Sequence, residues 1–444
     1  MIRHSARFLR CGLPLATIAM LLLATGASAE DMPAQADEVA FVFNTFSFLV
    51  NGFLVMLMAA GFCMLESGMV KTKTVATICL KNITLYSMAG IMFFLVGYNL
   101  MYAGVDGGWM GSFSLFDVPS PDSESIDGGY AAASDWFFQM VFVATAASIV
   151  SGAVAERVKV FAFFAVVLVL VTIIYPIQGA WRWGGGWLSE LGFSDFAGST
   201  IVHSTGGWCA LAGVILLGGR AGKYTNDGRI HPMPASSLPL VTLGTFLLWF
   251  GWFGFNGGSQ LALGSAADAS AMARIYANTN LAAAGGVVAS VLLTQALYRK
   301  VDLTLVLNGA LGGLVSITAE PLAPSFGQAV LIGGVGGVLV VLAVPLLDKL
   351  RLDDVVGAIP VHLVCGIWGT MIVPATNADA GYLTQLIGVA SIGAFVFAFS
   401  FIVWYLLKIT FGIRLDKEDE AVGSDTTDIG LHAYPEFGAQ KAAD

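Results

Sequence analysis

Asp195-Phe-Ala-Gly198-Ser-Thr-Ile-Val202-His203 and, in the other half of the chain, Asp354-Val-Val-Gly357-Ala-Ile-Pro-Val361-His362 read alike. Aspartate, glycine, valine and histidine fall in register, and a further glycine, Gly207 or Gly366, follows four residues after each histidine. A match of this kind is the trace of an internal duplication. Each half therefore presents one histidine eight residues beyond an aspartate, inside an otherwise apolar segment.

Composition fixes the solvent. Hydrophobic residues make up 57% of the 444 and charged residues 11%, against roughly 25% charged in soluble domains. With a mean hydropathy of +0.78, the chain reads as an all-α polytopic membrane protein in a lipid bilayer. Its 53 glycines exceed the average of roughly 7%, as expected where helix backbones pack closely without a hydrophobic force between them. Nothing points to nucleic acid, and the net charge of −9 says little about a partner.

Arg3, Arg7 and Arg10, the apolar run Leu13 to Leu23 and the small residues Ala27-Ser28-Ala29 form a secretory signal. Residues 1–29 are expected to be cleaved, leaving Glu30 outside the membrane; an uncleaved extra helix is the competing view. The cysteines beyond this segment lie in apolar runs without metal or disulfide spacing, which reads as small core residues.

Apolar runs of about 20 residues, the length that crosses about 30 Å of hydrocarbon, divide the rest into 11 transmembrane helices. Their limits are 40–65, 80–103, 133–155, 160–180, 198–219, 236–257, 274–298, 303–320, 327–347, 355–375 and 383–412. Starting outside, the inner loops hold Lys71 and Lys73, Arg157 and Lys159, Arg220, Lys223 and Arg229, Arg299 and Lys300, then Lys349 and Arg351, with Arg414 and Lys417 in the tail. The outer loops hold only Arg182 and Arg274. This positive-inside pattern places the N-terminus outside and the C-terminus in the cytoplasm. Five helices per half make two inverted repeats plus a final long helix, a plan found in many transporters.

That plan gives the histidines a depth. Asp195 opens the fifth span at the outer surface and Asp354 the tenth at the inner surface. Eight residues at 1.5 Å each carry both histidines about 12 Å inward, close to the midplane from opposite sides. Packed about a pseudo-two-fold axis, the two imidazoles can meet. A lone intramembrane histidine also serves as a neutral interhelical hydrogen-bonding residue; two at symmetric depth favour a polar pathway. Two histidines without a nearby carboxylate or thiolate make an incomplete zinc site, so no metal is expected. Glu156-Arg157, at an inner helix end, reads as a structural ion pair.

With these residues in place, the chain resembles the ammonium transporter / methylammonium permease / Rhesus family over essentially all of residues 40–413. The run Asp195 to Gly207 resembles the family signature, and Gly251-Trp252-Phe253-Gly254-Phe255-Asn256-Gly257-Gly258-Ser259 its block on the sixth span. Ala153 to Arg157, Trp183 to Gly186 and Asn308 to Thr318 match further blocks in order. The resemblance implies a homotrimer with one pore per subunit in a bacterial inner (plasma) membrane. It implies recruitment of ammonium, and of methylammonium in some members, by Phe142, Trp183 and Ser259. Phe142, Phe255 and Phe138 correspond to the gate, His203 and His362 to the pore, and Asp195 to the vestibule; Trp252 and Thr318 match lesser pore-lining positions. It also implies a tail, residues 414–444, that packs on the inner face, and a PII-type signalling protein that plugs the pore from there; a plain disordered extension is the competing view.

The chemistry of these residue types agrees. Ammonium carries four donors, so aromatic faces attract it by roughly 0.5–2 kcal/mol each and a hydroxyl oxygen accepts one proton. Potassium donates nothing, and the carbonyl filter that selects it has no counterpart here. Neutral imidazoles donate at one nitrogen and accept at the other, so a bonded pair can relay a proton while ammonia passes. The expected activity is net electrogenic uptake of ammonium past this twin-histidine pore, with no enzymatic chemistry and no cofactor. The alternatives are a Rhesus-like neutral ammonia channel and a non-transporting ammonium sensor, which the short tail disfavours. Two departures from the family, Glu320 and the long acidic loop of residues 104–130, are expected to tune cation recruitment.

Overall fold

The structure, a computed structural model, describes residues 31–438, so the expected signal segment 1–29 lies outside the described residues. Its elements are helices: α1 Asp31–Met69, α2 Thr72–Tyr102, α3 Ala132–Ala153, α4 Val160–Ala180, α5 Ser199–Leu217 and α6 Leu238–Gly258. The second half follows with α7 Ala266–Tyr298, α8 Leu303–Thr318, α9 Phe326–Lys349, α10 Ile359–Ala375 and α11 Tyr382–Thr410, then a short α12 Lys417–Val422. Among the described residues no strand extends beyond an isolated bridge. Nine of these helices are long and apolar enough to cross a membrane; α8 and α10 are shorter apolar helices. At 16 residues, α8 is about 24 Å long by its rise per residue.

Local chemistry sets the helix starts. Ser265 with Asp268 and Ser325 with Gln328 form reciprocal capping boxes at α7 and α9. Asp302 accepts the Thr304 and Leu305 amides at 2.9 and 3.1 Å and starts α8. Small residues then let backbones touch: a Cβ at Gly244 of α6 would stand 2.3 Å from the Leu65 amide nitrogen of α1. α1 lies along α6, α7 packs on α8 and α9, and α5 lies between α3 and α11.

One end of the bundle carries Trp183 and residues 104–130; the other carries residues 411–438. At the tail end, Glu156 pairs with Lys71 at 3.3 Å and Arg220 at 3.2 Å, and Arg220 also meets Asp353 at 2.9 Å. Glu156 and Arg157 do not pair with each other, contrary to the expectation from their adjacency. A positive φ of 67° turns Glu156 toward Lys71 and Arg220. Arg157 instead donates to the carbonyls of Ala153, Ala155 and Asp353. Burial alone would raise the Asp353 carboxyl, but Arg220's hydrogen bonds and the charges of Arg157, Arg220 and Lys223 hold it well below the usual carboxylate range. Of the cysteines, Cys209 and Cys365 are buried as expected; Cys79 is exposed and Cys63 half-buried, with the two sulfurs 3.7 Å apart on the outer face of α1 and α2.

The tail is an ordered strap as far as it is described. Buried Asp425 accepts the Ala76 and Thr77 amides at 3.0 and 2.7 Å and the Thr77 hydroxyl at 2.8 Å, closing the start of α2. Asp428 accepts the Val160 amide at 3.1 Å at the start of α4, and Glu420 accepts the Ala221 amide at 2.6 Å. Carboxylates suit helix N-termini because the first-turn amides lack intrahelical partners. Asp425→Ala removes three such bonds, a loss of about 1–3 kcal/mol. Limited proteolysis should then cleave the tail about 5–150-fold faster; a rate within twofold of the parent would show that the strap is held elsewhere.

Candidate functional site

The two matched segments build the centre by the same local means. The Asp195 carboxylate accepts four consecutive amides, those of Gly198, Ser199, Thr200 and Ile201, at 2.8–3.1 Å. Asp354 does the same for Gly357 and Ile359 at 3.0 and 2.6 Å. Each turn needs a left-handed residue, and glycine supplies it: φ is 104° at Gly198 and 81° at Gly357. Beyond each turn the helix opens into one π-helical stretch, Ser199–Ser204 and Ile359–Val364, and each stretch carries the histidine. Widened turns of this kind recur at functional sites.

The glycines after the histidines make the crossing possible. A Cβ on Gly207 would lie 2.9 Å from the Leu363 nitrogen, and one on Gly366 would lie 2.5 Å from the Ser199 oxygen. With no Cβ at either position, α5 and α10 cross closely enough for the imidazoles to meet: His203 Nδ1 and His362 Nδ1 stand 3.2 Å apart, both rings buried. One of these nitrogens donates and the other accepts, so each ring keeps its Nε2 for another partner. His203 Nε2 is buried with no hydrogen-bond partner among the described residues.

Above and below the pair runs an aromatic column. His203 stacks on Trp252 and Phe255 with ring centroids 4.9 and 5.1 Å away. Phe255 stacks on Phe142 at 4.0 Å and 27°, and Phe142 meets Trp183 edge-on at 6.0 Å. Phe138 leans on Phe142 at 4.8 Å. Both Phe142 and Phe255 are essentially without exposure, at 1% and 0%, so the column is closed there. Trp252 Nε1 donates to the Thr318 hydroxyl at 2.8 Å, which fixes the indole against His203.

A cavity of about 560 Å³ opens at the Trp183 end, and Phe138, Phe142, Trp183, Asp195 and Ser259 all contribute to its wall. The Trp183 indole is held by the Asp195 carbonyl at 3.0 Å. The half-buried Ser259 donates its proton to the Phe255 carbonyl at 2.8 Å, which leaves its oxygen lone pairs toward an incoming donor. On the tail side a second cavity of about 620 Å³ is lined by Asp302, Asn308, Asp354 and Val356, among others.

Two residues of this centre had not been singled out from the sequence. Asp135 lines the Trp183-end cavity, bonded by Tyr98 at 2.5 Å and Gln139 at 3.3 Å. It stands four residues after Ala131, at the start of α3, where an acidic residue reads as an ordinary first-turn aspartate. Phe62 tilts over His362 at a centroid distance of 6.0 Å; among 30 phenylalanines nothing marked it. Glu320, expected to tune recruitment, is instead spent on structure. It accepts the Leu322 and Ala323 amides at 3.2 and 3.0 Å and the Asn377 amide group at 2.7 Å, and it does not line the cavity.

A buried aromatic and imidazole column between two polar-rimmed cavities, inside a bundle of apolar helices, defines a multi-pass membrane transport protein. The match to known proteins is specific. The chain belongs to the Ammonium Transporter Family, whose model matches residues 46–434. It is 38% identical to the ammonium transporter Amt2 of Archaeoglobus fulgidus, covering 95% of both chains. It is 39% identical to a putative ammonium transporter of Synechocystis sp., covering 91% of this chain and 92% of that one. Among solved structures it superposes on a sensor Amt protein with a TM-score of 0.82 at 34% identity, covering 88% of this chain and 99% of that one. On Candida albicans Mep2 it superposes with a TM-score of 0.77 at 28% identity, covering 90% and 92%. The family is one of transporters and not an enzyme class.

Proposed function

We propose that this chain is an electrogenic ammonium transporter in which all of α1 to α11 cross the membrane, as two inverted five-helix repeats plus α11. The Trp183 end faces outward and the tail end the cytoplasm. The basic cluster of Lys71, Arg157, Arg220 and Lys223 at the tail end supports that orientation. Residues 1–29 act as the signal peptide, 30–413 as the membrane domain and 414–444 as a regulatory tail, in a homotrimer of the bacterial inner membrane. The tail's capping of α2 and α4 from the cytoplasmic side gives a PII-type protein an ordered surface to dock on.

Ammonium enters the Trp183-end cavity, where the Trp183 and Phe142 faces and the Ser259 oxygen replace part of its hydration. The closed Phe142–Phe255 stack passes a dehydrated species only. Ammonium gives a proton toward the free His203 Nε2; the His203 Nδ1 proton moves to His362 Nδ1, and the His362 Nε2 proton leaves on the far side. Ammonia crosses the apolar passage and is reprotonated within, so nitrogen and charge arrive together. The observation that carries this reading is the 3.2 Å contact between the two buried Nδ1 atoms directly beneath the stacked gate.

An ammonium pulse across proteoliposomes of the purified protein should evoke a saturable current, absent with potassium. Trp183→Ala should raise the half-saturating ammonium concentration about 2–30-fold, the equivalent of one lost cation–π contact. No current but a rising internal pH on the same pulse would identify a neutral gas channel. Neither signal, with binding retained, would identify a sensor, the activity named for the neighbour of TM-score 0.82.

A further inference from the structure

Glu66 lies one helical turn beyond Phe62 on the same face of α1 and is fully buried. Its Oε2 is held by the Ser151 hydroxyl at 2.7 Å and the Asn82 amide at 3.2 Å. Its Oε1 is buried with no hydrogen-bond partner among the described residues. Leaving a carboxylate oxygen unsatisfied in a membrane protein's interior is costly, which marks the group as a functional candidate. Its place in the fold says for what. Glu66 and His362 both line a small cavity of about 10 Å³ beneath the histidine pair, about the size that admits one water-sized probe. That cavity and the large tail-end cavity share Asn308, Val356 and Gly357 in their walls. Glu66 therefore stands between the inner histidine and the inner vestibule.

Its surroundings are arranged to let the charge exist at that depth. Lys81 donates to the Ser151 carbonyl at 2.8 Å, while the Ser151 hydroxyl donates to Glu66, so one residue bridges acid and base. Lys81 also lies over the Phe163 ring at 4.5 Å, and no direct Glu66–Lys81 ion pair forms among the described residues. A carboxylate locked by its lysine would be a poor proton acceptor; one neutralised through a bridge keeps an oxygen for exchange.

We propose that Glu66 is the proton-transfer residue on the cytoplasmic side of the histidine pair. This rests on the twin-histidine reading above. The His362 Nε2–H bond breaks as an O–H bond forms on a water in the small cavity, and that water passes one of its own protons to Glu66 Oε1. Glu66 releases the proton to water of the inner vestibule, where ammonia takes up a proton and leaves as ammonium. No electron moves, and the carboxylate is restored in each cycle.

The test compares ammonium-evoked currents in proteoliposomes of the wild type, Glu66→Gln and Glu66→Asp. Glu66→Gln keeps the volume and the acceptor for Ser151 and Asn82 but cannot take a proton. Its current should fall about 100-fold, the lower end of the usual range for loss of a proton-transfer group, and the remaining current should be slowed more by heavy water than that of the wild type. Glu66→Asp should recover part of the current. A Glu66→Gln current within twofold of the wild type, or equal losses in Glu66→Gln and Glu66→Asp, would overturn the proposal while leaving the twin-histidine pore intact. A wild type without any ammonium current would overturn both. Should Glu66→Gln fail to fold, infrared difference spectra of the wild type on ammonium perfusion decide instead: a protonated-carboxyl band is expected, and its absence refutes the role.

Discussion

His203→Ala lowers the ammonium current by about 10²–10⁴-fold, the range for removal of a group that takes a proton in the rate-determining passage. Whatever current remains loses its discrimination against potassium. The reasoning is geometric. His203 stacks between Phe255 above and His362 below, with Trp252 at its side. Alanine removes the imidazole acceptor beneath the gate and takes from His362 Nδ1 its hydrogen-bond partner. The space opened beneath Phe255 admits water, and a watered passage has no means of telling ammonium from an alkali cation of similar size. His362→Ala should lose as much, and the double variant little more, because two members of one relay are not additive. An unchanged current with unchanged selectivity in His203→Ala would mean that ammonium takes another path.

The second large effect comes from an atom the protein leaves out. Gly207→Ala puts a methyl group 2.7 Å from the Leu363 Cβ and 2.9 Å from its nitrogen. Backbone cannot swing away as a side chain can, so α5 and α10 must separate, and overpacking of this kind costs about 1–3 kcal/mol. Separation matters more for the current than for stability. Displacing a reacting group by about 1 Å can cost roughly 100-fold, and the imidazoles already stand at 3.2 Å. Gly207→Ala should therefore fold, with a modestly lower melting temperature, and conduct about 100-fold less. Gly327→Ala, where an added Cβ meets nothing within 4 Å, is the control and should conduct normally. Equal currents in the two variants would show that the crossing distance does not set the rate.

Much of this centre was legible in the sequence because its determinants are periodic. The Asp195–His203 and Asp354–His362 spacings and the glycines after them carry the symmetry of the two segments through simple geometry, without any tertiary information. Phe142, Trp183, Ser259 and Phe255 were legible only through family blocks; as residue types they are indistinguishable from packing. The π-helical stretches around both histidines had no sequence signal. Asp135, Phe62 and Glu66 were missed for a related reason. Each is a single residue whose meaning depends on which helix face meets which cavity. Glu156 and Arg157 were misread as partners because adjacency in sequence does not fix direction: the left-handed turn at Glu156 sends the two side chains apart. The apolar run 303–320 overshoots α8, which ends at Thr318; Glu320, beyond the helix, ties down the following turn.

The central claim, that the proton of ammonium crosses by the bonded His203–His362 pair while its nitrogen passes as ammonia and both arrive together, is tested most directly by counting charges per nitrogen. Integrated current and uptake of isotopically labelled nitrogen are measured on the same proteoliposomes after one ammonium pulse. The proposed pore delivers about one elementary charge with each nitrogen, and His203→Ala lowers that delivery about 10²–10⁴-fold. Labelled nitrogen arriving without charge in the wild type would contradict it.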